Sequence, residues 1–142
     1  MIYQSIAKSR ICTEVVMLVP QLYLKGKCEE AIKAYENAFK TKVASVLYDE
    51  DKRPENFVVH AEMHIHDQKV MMSDWGGNIS MSTDNSQQLV VIFKEQAELD
   101  HAYDVLKVGS KTVIEKGPTF YSTCLVDLLD SYGVRWCLMM NV

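Results

Sequence analysis

The chain's four cysteines, Cys12, Cys28, Cys124 and Cys137, include no Cys-x-x-Cys pair. This excludes a zinc knuckle or thioredoxin-type motif and predicts a reduced, cytoplasmic chain most of whose cysteines are small core residues. No lysine–arginine cluster is present and the net charge is −4, so nucleic acid is not an expected partner. No apolar run approaches the roughly 20 residues of a membrane helix, and no membrane partner is expected. The apolar stretch after Lys8 and Arg10 is broken by Thr13 and Glu14, unlike a signal peptide. A P-loop, a dinucleotide fingerprint and a nucleophile elbow are all lacking.

What is present is an ordinary globular composition, 48% hydrophobic and 24% charged over 142 residues, enough for one domain with a real core. Strands are expected at 15–24, 43–48, 57–65 and 69–74, with a helix at 27–39. In that helix Cys28, Ala31, Ile32, Tyr35, Ala38 and Phe39 form one apolar stripe. A Gly-, Asn- and Ser-rich stretch over 76–86 reads as a hinge. The pattern then restarts, with strands at 88–93, 112–115, 120–129 and 134–140 and a helix at 95–107. Ala34-Tyr35 matches Ala102-Tyr103, and Val70 matches Val134. Two βαβββ units follow, each needing the other to bury its sheet. The expected fold is α+β, with the two modules forming a curved eight-stranded cup and helices on the outer face. Module one covers about 17–76, module two about 87–142, and 1–16 is an N-terminal extension.

The densest chemistry lies in His60-Ala61-Glu62-Met63-His64-Ile65-His66. Strand alternation puts His60, Glu62, His64 and His66 on one face and Ala61, Met63 and Ile65 on the other. Side chains two apart point the same way about 7 Å apart, so His60, Glu62 and His64 form a candidate site for a divalent metal. Alternatively His60 and Glu62 act as an acid–base pair, or the face is simply solvated or pocket-lining. By the Val70–Val134 match, His60, Glu62 and His64 align with Cys124, Val126 and Leu128, so the second half offers no comparable set.

Further stretches carry a resemblance: Pro20-Gln21-Leu22-Tyr23-Leu24-Lys25-Gly26, Glu30-Ala31 with Tyr35, His60-Ala61-Glu62, Met71-Met72-Ser73-Asp74, Thr119-Phe120 and Gly133-Val134-Arg135-Trp136. With the duplicated βαβββ order, they resemble the PhnB-like branch of the vicinal oxygen chelate superfamily, which includes glyoxalase I, bleomycin and fosfomycin resistance proteins and extradiol dioxygenases. The resemblance covers about 17–140. It implies a cup for a small organic ligand and a homodimer that completes or covers the cups. The superfamily's metal positions fall near Pro20 or Gln21, Ser73 or Asp74, Gln87 or Gln88, and Met140 or Asn141, a set without the usual His/Glu pattern. Some relatives are labelled ubiquinone-pathway methyltransferases. Leu24-Lys25-Gly26-Lys27 is not the Gly-rich turn that a methyl donor usually requires.

The expected site therefore comprises His60 and Glu62 as catalytic candidates and Tyr23, Ser73, Asp74, Trp75, Phe120 and Tyr121 as ligand contacts. The metal option uses His60, Glu62 and His64. Three functions remain open: a small-molecule binder, a metal-dependent lyase, isomerase or transferase, and an interaction protein with a filled cup.

Overall fold

The computed structural model describes residues 17–50, 56–74 and 87–141. In chain order the elements are β1 (Gln21–Tyr23), α1 (Cys28–Phe39), β2 (Val43–Tyr48), β3 (Val58–Ile65), β4 (Gln68–Ser73), β5 (Leu89–Phe93), α2 (Gln96–Leu106), β6 (Lys111–Gly117), β7 (Leu125–Leu129) and β8 (Arg135–Met140). They form two four-stranded sheets, β1-β4-β3-β2 and β5-β8-β7-β6. In each sheet the first strand is parallel to the last and the other pairs are antiparallel. This is the duplicated α+β architecture expected from the sequence, built as two separate ladders of four.

Helix α1 buries the six residues of its apolar stripe. It packs on α2 and β3, while α2 packs on β8 and β5. The inner faces of both sheets join one core, with Ala61, Met63, Val70 and Met72 from module one and Val91, Val126, Leu128, Trp136 and Leu138 from module two. Aromatic rings lock the modules together. Tyr35 of α1 meets Trp136 of β8 edge-on at 5.3 Å, and Phe39 lies 5.1 Å from the same indole.

Two buried acids tie distant segments to this core. Asp130 accepts hydrogen bonds from the Tyr35 hydroxyl and the Trp136 indole at 2.8 Å, and from the Tyr132 and Val134 amides at 2.9 Å. Asp74 accepts from the Cys28 amide at the first turn of α1 and from the Val58 amide at the start of β3, both at 2.9 Å. Helix α1 has no local side-chain cap, so Asp74 satisfies one of its orphan donors from 46 positions away.

Three sequence expectations change. The strand foreseen over 120–129 begins only at Leu125. Thr119 Oγ1 accepts from the Ser122 amide at 3.0 Å, and the Thr119 amide donates to the Ser122 carbonyl at 2.8 Å. That closed turn withdraws 119–122 from the ladder. The first strand pairs only over Gln21–Tyr23 among the described residues, and the part foreseen over 15–16 lies outside them. The third change is the register of the repeat. Val126 and Leu128 face the core and are fully buried, so neither is the counterpart of outward-facing Glu62 or His64. The other face of β7 carries Leu125, Asp127 and Leu129, with Asp127 in the place of Glu62. The match slipped because the first hairpin turns in two residues, His66-Asp67, and the second in five, 130–134. A one-residue slip reverses every face.

Candidate functional site

The outer face of module one can be read row by row from its register. Tyr23 lies beside Ser73, and Leu47 beside His60. One step beyond the Ala61–Met72 pair, Ser73 comes across from His60, and its hydroxyl donates to the adjoining Val59 carbonyl at 2.7 Å. The next row is Gln21, Met71, Glu62 and Ser45; in the row after that, Lys69 faces His64. Tyr23, Ser73, His60, Glu62 and His64 therefore share one surface, as strand alternation requires.

Glu62 is the centre of this surface. Its Oε2 lies 3.2 Å from His60 Nε2 and its Oε1 3.4 Å from Lys69 Nζ. The His60 hydrogen bond first, and the Lys69 charge second, hold the Glu62 carboxyl below its ordinary range. An ionised carboxylate only accepts, so His60 Nε2 is the donor of this hydrogen bond. This orientation suits proton transfer. All three side chains are about one-third exposed.

Module two carries the same diagonal in a closed form. Glu62 pairs across the ladder with Met71, two positions after Lys69; Asp127 pairs with Cys137, two positions after Arg135. Asp127 is buried and meets Arg135 through both oxygens, Nε–Oδ1 at 3.0 Å and Nη2–Oδ2 at 2.7 Å. Such a fork is geometrically complete. The module-one trio is looser, more open and includes a histidine.

The remaining expected residues are Asp74, Phe120, Tyr121 and Trp75. Asp74 is buried, and both its oxygens serve the backbone of α1 and β3. Phe120 is 99% exposed on the β6–β7 connection, stacked edge-on with Tyr121 at 4.8 Å. Trp75 lies outside the described residues. Cys28 is fully buried, and burial first, then Asp74 and Glu29, push its thiol up to about 12, so it is an inert core residue.

The sequence did not reveal a cavity of about 1120 Å³ between the start of β1, the β3–β4 hairpin and β5. Gln21, His64 and Lys69 reach it from the module-one face; Leu18, Val90 and Ile92 supply apolar wall. The hairpin tip beside it is held by the His66 ring, edge-on to Phe93 at 5.2 Å. His66 and Asp67 both have positive φ, 48° and 65°, a turn usually given to Asn-Gly. Pro20, Gln21, Gln87 and Gln88, which line it, entered the sequence reading only as metal positions of the superfamily.

The superfamily implies a metal, and these donors do not fit one. Among the described residues no three His, Cys, Asp or Glu side chains converge. Both oxygens of Glu62 are already engaged, one of them by an ammonium group that opposes a divalent cation. The positions near Gln21, Ser73, Gln88 and Asn141 offer amides and a hydroxyl, poor ligands for zinc or nickel.

The fold is the glyoxalase and bleomycin-resistance type that the resemblance implied. Residues 16–139 match the family described as 3-demethylubiquinone-9 3-methyltransferase, and the chain belongs to that family. The fold is shared with a PhnB protein from Bacillus cereus, described as a putative 3-demethylubiquinone-9 3-methyltransferase (24% identity, 87% of this chain and 98% of that one covered, TM-score 0.76). It is shared with a protein from Pseudomonas aeruginosa (21%, 89% and 98%, TM-score 0.79) and, more distantly, with a fosfomycin resistance protein from Listeria monocytogenes (10%, 90% and 94%, TM-score 0.61). No curated protein matches the sequence. No described helix is long and apolar enough to cross a membrane.

Proposed function

We propose that this protein binds a small, partly apolar organic molecule against the outer face of module one and the adjoining cavity. The observation that carries this reading is the cavity itself, about 1120 Å³, into which the polar row of β3 and β4 and the apolar edge of β5 both open. Mixed walls of this kind, apolar with a few placed polar groups, suit organic ligands. The Leu24-Lys25-Gly26-Lys27 turn between β1 and α1 offers a single glycine, which gives no support for a methyl-donor site.

Exposed Leu47 on β2 and half-exposed Val113 and Ile114 on β6 support a second proposal, that two copies pair and cover these strands. Light scattering at increasing concentration tests it; a monomer throughout refutes it.

A thermal-shift screen of aromatic and drug-like compounds tests the binding proposal. At about a hundred times Kd a ligand raises the melting temperature by about 8 °C. Ile92→Glu, at a half-exposed wall position, abolishes the shift without unfolding the chain. A shift that survives this substitution places the ligand elsewhere.

Proton transfer at His60 is the second reading, favoured by the 3.2 Å contact that orients its ring. Elemental analysis of untagged protein with and without His60→Ala separates both readings from a metal centre: one metal per chain, lost in the variant, assigns the strand to metal binding.

A further inference from the structure

We propose that the cavity ligand is an organic anion, with Lys69 its charge partner and His64 a second donor. This rests on the cavity reading above and adds the chemical class of the ligand. Lys69 belongs to two places at once. Its ammonium is 3.4 Å from Glu62, and it lines the cavity. Among the described residues the other lysine–carboxylate pairs close to 2.8 and 2.6 Å, and the Arg135–Asp127 fork to 2.7 Å. The Lys69 contact is the longest of these, and Glu62 does not depend on it, because Oε2 keeps His60 at 3.2 Å. Turning Lys69 toward a ligand leaves Glu62 with a partner still in place.

The repeat supplies an internal control. The equivalent diagonal in module two is a bidentate fork on a buried carboxylate, which would be left unpaired if the fork opened. In module two the diagonal is closed with arginine through both carboxylate oxygens; beside the cavity it is a lysine on one carboxylate oxygen. His64 is directly opposite Lys69 in the ladder, and its side chain is exposed into the same space. Two nitrogen donors on adjacent strands can share one oxyanion. Asp67 also lines the cavity, at the hairpin tip, and sets a limit on how much negative charge the site accepts. Leu18, Val90 and Ile92 face the donors and take the apolar body.

The test compares two probes of one shape, 1-naphthoate and 1-naphthamide, titrated into the full chain and followed by amide chemical shifts. The inference expects naphthoate to bind about tenfold more tightly, with the largest shifts at Lys69, His64 and Ile92 and with affinity falling as salt rises. Lys69→Met removes the preference and leaves naphthamide binding unchanged. Equal affinity of the two probes in the native chain overturns the anion inference while the cavity reading stands. Binding of neither probe overturns both. A naphthoate preference that persists in Lys69→Met overturns the role of Lys69. Inorganic phosphate competing as well as naphthoate also overturns the inference, since a bare anion site needs no apolar wall.

Discussion

Single side chains in this protein divide between those that hold the fold and those that face solvent with unspent chemistry, and burial separates them. Tyr35 is fully buried, and desolvation first, then Asp130, raise its hydroxyl well above the ordinary tyrosine value of 10.0. A neutral hydroxyl is therefore favoured more in the folded than in the unfolded chain. Its contribution is whole below about pH 10 and is lost as the pH climbs through and above that value. Tyr35→Phe lowers stability at neutral pH by about 1–3 kcal/mol and flattens the alkaline fall. Urea unfolding at neutral and alkaline pH measures both effects; an unchanged alkaline slope refutes the assignment. His60 and Glu62 were legible as one face of a strand because alternation is a property of the backbone. Asp74 was not legible as a helix anchor, since nothing near it in sequence names Cys28 as its partner.

At the scale of elements, local pattern was a good guide wherever a face repeats. The observed helices begin and end within one residue of the expected ones, because a 3.6-residue apolar stripe and its polar complement specify both length and face. Strand ends were less legible. The Thr119–Ser122 turn competes with the ladder through a side-chain hydroxyl, and the two hairpins differ in turn length, which hid the Glu62–Asp127 correspondence. The β3–β4 hairpin and α1 meet through Asp74, so its loss acts on elements rather than on one contact. Asp74→Ala leaves the Cys28 and Val58 amides unsatisfied and costs about 3 kcal/mol. Hydrogen exchange at those two amides rises beyond the change in global stability; protection that falls uniformly along the chain refutes a local anchor.

The whole molecule is held by contacts that cross its internal repeat. Tyr35 and Phe39 of module one enclose Trp136 of module two, and Asp130 binds residues from both. Neither half carries a complete core. Fragments 1–86 and 87–142 expressed separately are expected to show no cooperative unfolding, and mixing them restores it; a single fragment that melts cooperatively refutes the shared core. Trp136→Ala in the full chain costs about 3–5 kcal/mol. The cavity also belongs to this scale, since its walls come from β1, the β3–β4 hairpin and β5. The ligand proposals thus concern a space that neither half encloses by itself.

The amino-acid sequence by itself determined the two helices, the duplicated order of elements, the buried and exposed faces of β3, and the resemblance that names the fold. These depend on period and local pattern, which each segment carries alone. Tertiary structure decided what joins what: the anchoring of α1 by Asp74, the Tyr35–Asp130–Trp136 lock, the closed fork at Asp127, and the meeting of Lys69, His64 and β5 around one cavity. Those depend on chain closure over distances such as 46 and 95 residues. Which partners meet across such separations is settled by the packing of the entire core rather than by any segment's own preference.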